Sequence, residues 1–477
     1  MRNTKIVATL GPASSSPDMI RKLIQAGVNV FRLNFSHGTH DSHREAIANI
    51  RAASRELEMD VAILQDLCGP KVRVGLMQSG AAELKTGEET VVTTDEILGT
   101  SARFQTQYEA LPRDVKTGER ILLDDGQLEL EVLSVSGSDI RCKIIRGGVL
   151  KNNKGMNLPG VTVSAPSVTE KDMNDLKVGI AEGVDFVALS FIRRPEDMNP
   201  VREALANAYC KARLIAKIEK PEAIDCIEDI VRHSDGVMVA RGDLGIEMPL
   251  PRVPALQKRL IRLANSKDRY VITATQMLES MTTNAIPTRA EVSDVANAIC
   301  DGTDAVMLSG ETAAGVDPVG VVSMMSAIAL ETESYLRTYP PTWDWYKSLS
   351  SENPMQDALG HAALKLVEDL DIKAIAVYTP TGGTALFLSK SRPFVPIVAF
   401  SPDPGAVRRL NLYWGVTPVH APHVHSRSEL KVAAEKYITR HGMAKPKDRI
   451  LLISSTSFGA TGAADGIVVV TLGEEEE

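Results

Sequence analysis

Eight short apolar runs, each closing on charged or hydroxyl residues, constrain this 477-residue chain more than any other feature. They read KIVATLG from Lys5, VNVFRLNFSHG from Val28, VAILQDL from Val61 and VDFVALSF from Val184. ARLIAKIE from Ala212, DGVMVARGD from Asp235, YVITATQM from Tyr270 and DAVMLSGE from Asp304 follow. Apolar, β-branched interiors of this length fit parallel strands covered on both faces. Helical patterns lie between the runs. An eightfold strand–helix repeat closes into an α/β fold, the (β/α)8 TIM barrel, whose active site lies at the strand C-terminal ends. Those ends carry Arg32, Asn34, Asp66, Lys217, Glu219, Asp243, Thr275 and Glu311. Core packing does not require charges at so many strand ends; a catalytic site does.

Single cores stop growing near roughly 250–300 residues, so a chain of this length divides into two or three domains. Successive run starts are 23 to 35 residues apart, except for one gap of 123 between Val61 and Val184. Residues 71–167 are therefore expected to form an inserted domain. Within it EETVVTT, ERILLDD, LELEVLSV and DIRCKIIRGG alternate between turn residues, the pattern of a small antiparallel β-barrel. Sitting on a strand C-terminal loop, it would overhang the barrel mouth as a lid. The catalytic barrel takes residues 1–70 and 168–340. Ser16–Pro17 with Gly27, Thr169 with Asp172, and the RRPED and EKPEA segments supply helix start and stop signals. After a helix near Pro318–Arg337, YPPTWDWYKSLSSENPM reads as a boundary. Residues 341–477 are then a C-terminal α/β domain, with KAIAVYTP, VPIVAF, GVTPVH and RILLISS as its strands.

A net charge of −8 disfavours nucleic acid as a partner, because phosphate-backbone binding needs a basic face. It leaves room for a small anion in a locally basic cleft. Five scattered cysteines without a CxxC pair point to reduced thiols in a cytoplasmic protein. No apolar stretch reaches the length of a membrane span, and the acidic run Glu474–Glu477 reads as a solvated tail.

Glu219 and Asp243 end the fifth and sixth runs, neighbours in such a barrel. Two carboxylates there suit Mg²⁺, which leaves positions for substrate oxygens; the alternative is a pair of structural ion pairs. Lys217, two residues before Glu219 on one strand face, favours the metal. Arg32, Lys217 and Arg73 can neutralise a phosphate or carboxylate. Arg241 and Arg289 read equally well as ties between elements. The ARGDLG turn from Ala240 offers backbone amides at a helix start. Asn34, Ser36 and Asp66 carry oxygens suited to a hard cation, or serve as ordinary turn residues. Thr275 is a strand residue or a proton donor, and His37 is exposed by pattern. No P-loop, dinucleotide fingerprint or HExxH occurs.

TKIVATLGPAS, FRLNFSHG, DLCGPKVRVG, NNKGMNLPG, LSFIR, IAKIE, VARGDLGIE, TATQMLESM, PTRAEVSDVANA and DGTDAVMLSGETA stand in one order and spacing. Over nearly its whole length the chain closely resembles the pyruvate kinase family through these segments. The resemblance implies phosphoryl transfer from phosphoenolpyruvate to ADP, giving pyruvate and ATP. By it, Glu219 and Asp243 are metal ligands for Mg²⁺ or Mn²⁺, and Lys217 and Arg32 stabilise the transferring group. Thr275 is implicated in enolate protonation. Amides around Ala240, Gly242 and Asp243 hold the substrate carboxylate, with Arg73 on the substrate. Arg32, His37 and Lys154 face the nucleotide. Asn34, Ser36 and Asp66 match a K⁺ site, but Leu67 stands at its threonine position and Lys71 at its glutamate position. A Lys71 ammonium in the cation's place, among Asn34, Ser36 and Asp66, would repel K⁺, so K⁺ is expected not to be required. TPTGGT, Thr379, Thr381, Gly382, Gly383 and Thr384 among its residues, resembles a phosphate-binding effector loop. Pro380 and Gly383 replace its usual basic residues, and SSTSFGATG near Ser454 departs from the second loop. A phosphorylated allosteric activator and a homotetramer are expected by resemblance. A metal-dependent lyase or an inactive phosphometabolite sensor are the competing readings; ADP dependence and turnover separate them.

Overall fold

The structure is a computed structural model that describes residues 1–341, 354–455 and 464–474. Eight strands form the barrel: β1 (Lys5–Thr9), β2 (Val30–Asn34), β3 (Ala62–Leu67), β4 (Phe186–Leu189), β5 (Arg213–Ile218), β6 (Gly236–Ala240), β7 (Tyr270–Ala274) and β8 (Ala305–Leu308). All eight pairings are parallel and the last strand closes on the first. Every residue of β1, β3, β4, β6, β7 and β8 is buried, as expected of strands enclosed by side chains within and helices without. The helix signals hold locally. Ser16 caps Pro17–Ala26, Gly27 ends it at φ 108°, and Thr169 with Asp172 forms both arms of a capping box on Glu170–Glu182. RRPED instead opens a 3₁₀ turn, Pro195–Met198, before the α-helix Asn199–Asn207.

Between β3 and β4 the chain builds two sheets around one core. One has six strands; the other pairs Ala81–Leu84 with Gly148–Lys151. Val74, Leu84, Phe104, Leu130 and Leu150 share that core across both sheets. The expected antiparallel pattern is broken by the parallel pairing of Glu89–Thr93 with Arg103–Gln105 and by a parallel bridge between Met77 and Gly99. Four short strands lack an alternating signature and escaped the sequence reading: Ala81–Leu84, Arg103–Gln105, Gly148–Lys151 and Met156–Asn157.

The C-terminal sheet contains β9 (Ile372–Tyr378), β10 (Ile397–Ser401), β11 (Val416–His420), β12 (Arg449–Ser454) and β13 (Gly466–Thr471), ordered β11-β10-β9-β12-β13. Four strands are parallel, and β13, absent from the sequence reading, is antiparallel to β12. The expected boundary at YPPTWDWYKSLSSENPM, the SSTSFGATG loop and the acidic tail fall largely outside the described residues.

This domain packs on the N-terminal end of the barrel, opposite the catalytic end. Interior barrel residues Val7, Phe186, Met238 and Tyr270 share one apolar cluster with Ile375, Leu388 and Tyr413. Ion pairs frame that contact. Asp304, immediately before β8, takes Lys390 and, at 2.9 Å, Arg392, with all three side chains almost fully buried. Asp185, before β4, receives Arg408 at 2.8 Å and Arg51 at 2.7 Å. Burial pushes the Lys390 ammonium down to about 8, with Asp304 pulling the other way. Removing one member of such a group strands buried charge. Asp304→Ala is therefore expected to destabilise the fold by roughly 3–5 kcal/mol. Denaturant unfolding measures this; a loss below about 1 kcal/mol would show that solvent already reaches the pair.

Candidate active site

Arg32 stands third in β2 and Asp66 fifth in β3, so adjacent strands place both side chains at the barrel mouth. Arg32 Nε donates to Asp66 Oδ2 at 2.7 Å, and its Nη1 donates to Thr9 Oγ1 at 3.1 Å. Lys217 enters from β5. Its ammonium lies 3.3 Å from Asp66 Oδ1 and 2.8 Å from Glu219 Oε1, and donates to Ser190 Oγ at 2.7 Å. Ser190 Oγ in turn donates to Leu67 O at 2.8 Å, so the order of donors is fixed. Two cations and two carboxylates thus share one buried network.

Their protonation follows from that packing. Burial works against the Lys217 ammonium, but Asp66 and Glu219 outweigh it and hold its pKa above the ordinary value. Burial also opposes the Asp66 carboxylate, and Lys217 with Arg32 reverses this, leaving its pKa below the usual range. Glu219 differs. Burial lifts its pKa, Lys217 resists, and the nearby Asp243 charge lifts it further. Glu219 Oε2 also accepts from the Phe191 amide at 2.8 Å.

The approach to Phe191 depends on a glycine. Gly69 follows β3 at φ +67°, and a Cβ there would stand 2.9 Å from Phe191 Cδ2 and 3.1 Å from Ser190 Cβ. No other residue combines that backbone conformation with that clearance.

Asp243 and Glu311 were expected at strand ends, and the structure corrects both. Asp243 lies in the helix Arg241–Glu247, and Glu311 in the short helix Gly310–Ala313. Among the described residues the Asp243 carboxylate makes no hydrogen bond or ion pair and lines a groove of about 590 Å³. Glu311 is fully buried and accepts from Leu278 N at 3.1 Å and Ser309 N at 2.6 Å, a structural position.

Thr275 follows β7 in the left-handed region, at φ 68°, and Gln276 continues it at 53°. Two such non-glycine residues in a row store strain that surrounding contacts must hold. Thr275 Oγ1 donates to Ala274 O at 2.6 Å and accepts from Gly242 N at 2.7 Å. The Gly242 amide is thereby already engaged, and Ala240 pairs with Ala274 at the strand ends. Arg241 provides the clamp. It donates to Ala274 O at 3.1 Å, Thr275 O at 2.6 Å and Asp294 at 2.7 Å. The reading of Arg241 as a tie therefore holds.

Other expected residues do not join this network. Asn34 Oδ1 caps Ser36 N at 3.1 Å in a local turn. Lys71 is exposed and makes no ion pair with Asp66, whose partners are Arg32 and Lys217; it lines the groove beside Asp125 instead. The expectation that its ammonium sits among Asn34, Ser36 and Asp66 is not met by this contact pattern. Leu67 is buried in the barrel core. Partial desolvation, then Arg73, Lys71 and Arg32, push the His37 imidazole below its usual value. Arg73 donates to Asn153 O at 3.0 Å. Lys154 remains in the inserted unit, 2.8 Å from Asp124 Oδ1.

Sequence reasoning missed the seam between the two units. Glu247 Oε1 accepts from Asn157 of the inserted unit at 3.0 Å and from Lys220 of the barrel at 2.7 Å. Ser190 was missed as well; its place in LSFIR, at the end of β4, was the available signal.

A cation network and free carboxylate at the mouth of a (β/α)8 barrel, beneath an inserted β-unit, define the framework of a phosphotransferase. Family models agree: "Pyruvate kinase, barrel domain" matches residues 1–322 and "Pyruvate kinase, alpha/beta domain" residues 357–470. A pyruvate kinase of Geobacillus stearothermophilus is 46% identical over 467 residues, covering 97% of this chain and 79% of that protein. One of Staphylococcus aureus (strain MRSA252) is 45% identical over 482 residues, covering 100% and 81%. A crystal structure of a pyruvate kinase from Cryptosporidium parvum superposes with TM-score 0.92 at 34% identity, covering 99% of this chain and 96% of that one. The chain belongs to the pyruvate kinase family.

Arg241→Lys tests the clamp. A lysine cannot reproduce the fork, and hydrogen bonds to charged groups are worth roughly 1.5–3 kcal/mol. A loss of that size in denaturant unfolding is expected; an unchanged midpoint would remove the clamp.

Proposed function

We propose that the protein transfers the phosphoryl group of phosphoenolpyruvate to ADP, giving pyruvate and ATP. The observation that carries this reading is the Lys217 ammonium held between Asp66, Glu219 and Ser190 beside Arg32. Its raised pKa keeps it charged at neutral pH. Phosphoryl transfer demands positioned positive charge more than covalent chemistry. Lys217 and Arg32 supply it as the bond from phosphorus to the enol oxygen breaks and one to an ADP oxygen forms.

Glu219 and Asp243 fit a divalent cation. They are electrostatically coupled, Asp243 has no protein partner among the described residues, and two carboxylates leave room for substrate oxygens. Mg²⁺ or Mn²⁺ held there would neutralise phosphoryl oxygens. The substrate carboxylate is received at the amides of Gly242 and Asp243, close to Ala240. Gly242 N can take it only by releasing Thr275 Oγ1, and that hydroxyl passes a proton through water to the enolate carbon by also leaving Ala274 O. Arg73 contacts substrate, and Arg32, His37 and Lys154 contact nucleotide phosphates, for which Lys154 must exchange Asp124. An enolate is unstable until protonated, so exclusion of bulk water by residues 71–167 favours transfer. In this reading residues 1–70 and 168–340 are the catalytic body and 341–477 the effector-binding unit.

Three finer readings accompany it. Turnover does not require K⁺: a positive Lys71 replaces an acid, and its field already reaches His37 beside Asn34 and Ser36. A phosphorylated effector activates the enzyme through the loop that includes Thr379, Thr381, Gly382, Gly383 and Thr384. Gly382 caps the helix Gly383–Lys390 there at φ 96°, and Thr381 and Gly383 stand exposed. The assembly is a homotetramer, which light scattering checks.

Pyruvate release, coupled to lactate dehydrogenase in K⁺-free buffer, is expected only when phosphoenolpyruvate, ADP and Mg²⁺ are all present. Pyruvate without ADP would point to a lyase, and silence under every condition to a sensor. Strong activation by K⁺ from a near-silent baseline would discard the Lys71 reading and keep the kinase. Lys217→Met is expected to lower kcat by roughly 10²–10³ with the fold intact, the effect of losing one positioned donor. A fully active variant would remove Lys217 from the chemistry.

A further inference from the structure

Asn34 ends β2, and Ser36 and His37 follow it on a turn before the helix His40–Leu57. Two carbonyls of that turn are taken by side chains. Phe35 O accepts from Lys171 Nζ at 2.8 Å, and His37 O pairs with His43 Nε2 at 2.9 Å. A carbonyl only accepts, so the His43 proton sits on Nε2. The two donors come from different elements: His43 from the first turn of His40–Leu57, Lys171 from the start of Glu170–Glu182. Helical side chains lean toward the helix N-terminus, which carries the His43 ring back over the turn.

The fit around His43 is close. Its ring stacks on Phe35 with centroids 3.9 Å apart and planes 11° from parallel, and Phe35 is itself buried. Burial pushes the imidazole below its ordinary value, so at neutral pH the ring stacks uncharged. Gly38 makes the room. It stands at φ +78°, and a Cβ there would lie 3.3 Å from His43 Nε2 and 3.0 Å from Ser42 Oγ. Lys171 is braced by Asp175, whose nearly buried carboxylate takes Lys171 at 2.5 Å and His40 at 2.7 Å. The front of the turn is different: His37 is exposed, and the charges of Arg73, Lys71 and Arg32 reach it. Held behind and open in front, the turn presents its side chains from a fixed backbone.

We propose that His43, with Lys171 beside it, is a positioning residue for the nucleotide: the pair grips the His37 and Phe35 carbonyls and so fixes the angle at which His37 meets the nucleotide phosphates. Among the described residues neither side chain bonds to Arg32, Asp66, Lys217 or Glu219, whose contacts form a separate network. The effect of losing the grip therefore falls on nucleotide affinity and spares the phosphoryl step. One hydrogen bond of this kind corresponds to roughly two- to tenfold in binding. This inference rests on the reading that His37 contacts the nucleotide.

Steady-state kinetics of the full chain with Mg²⁺, and isothermal titration with MgADP, test it. His43→Phe keeps an aromatic ring against Phe35 and removes the donor; His43→Gln keeps a donor at the Nε2 position. His43→Phe is expected to raise the KM for ADP and weaken MgADP binding roughly three- to tenfold. The KM for phosphoenolpyruvate and kcat stay unchanged, and His43→Gln recovers most of the loss. Should His43→Phe fail to fold, Lys171→Met, at a side chain 57% exposed, reads the same turn through Phe35 O and shifts ADP the same way. His37→Ala sets the reference. If it weakens ADP binding while His43→Phe and Lys171→Met do not, the positioning role is overturned and the nucleotide reading stands. If His37→Ala leaves ADP affinity unchanged, the nucleotide reading of His37 falls and this inference with it. A parallel loss of kcat and of affinity for both substrates, or no recovery in His43→Gln, would make His43 a packing residue only and overturn the proposal.

Discussion

Asp66 is the charge on which the catalytic end depends. Among the described residues it is the only carboxylate that touches both Arg32 and Lys217, one on each oxygen, and it is almost fully buried on the inner wall of β3. Two cations that close would repel each other at the barrel mouth without it. With it, they stand side by side and fully charged, which is what an incoming trianionic phosphoryl donor needs. The cost of burying three charges is offset by mutual pairing and by Ser190 and Thr9, which accept from Lys217 and Arg32. The same arrangement explains why Glu219 behaves unlike Asp66. Glu219 shares Lys217 but also feels Asp243, so its charge is only partly compensated by the protein. A site with one surplus carboxylate charge is poised for a cation from outside.

The two ends of the barrel are built on one rule with opposite consequences. At the mouth, charges remain partly unsatisfied and open to a groove. At the base, Asp304 and Asp185 are each held by two basic side chains, one or both from the C-terminal domain, and the apolar interior runs without a break into that domain's core. Closed pairing makes the base rigid. Strands β5 and β6 run between these regimes, from the base of the barrel to Lys217, Glu219 and the helix bearing Asp243.

The barrel was legible because each strand is a short buried run whose hydrophobicity does not depend on its neighbours, and the oversized gap betrayed the insertion. The residues of the mouth were legible as a set for the same reason: charge at the end of such a run is conspicuous. What the sequence could not show was pairing. Lys71 and Lys217 are both lysines close to the ends of barrel strands, yet one is exposed and the other is clamped by two carboxylates. Asp243 and Glu311 looked alike too. Backbone amides consume Glu311, while Asp243 keeps its oxygens. The β13 run, GIVVVT, is apolar and β-branched enough to read as a strand and was overlooked, while Ala81–Leu84 is too short to show an alternating pattern.

The seam at Glu247 bears on how the inserted unit could move. Its Oε1 joins Asn157 of that unit to Lys220 of the barrel, while Oε2 is buried with no partner. A satisfied seam would resist movement; a carboxylate with one idle oxygen can gain a contact when the inserted unit shifts and lose little when it returns. Arg193 reinforces the seam from the other side, donating to the backbone oxygens of Val163 and, at 3.1 Å, Ala165. Both sets of bonds run to the stretch where the inserted unit rejoins the barrel, leaving Arg73 and Lys154 farther out on it. The orphaned oxygen gives movement of that unit a partner to find.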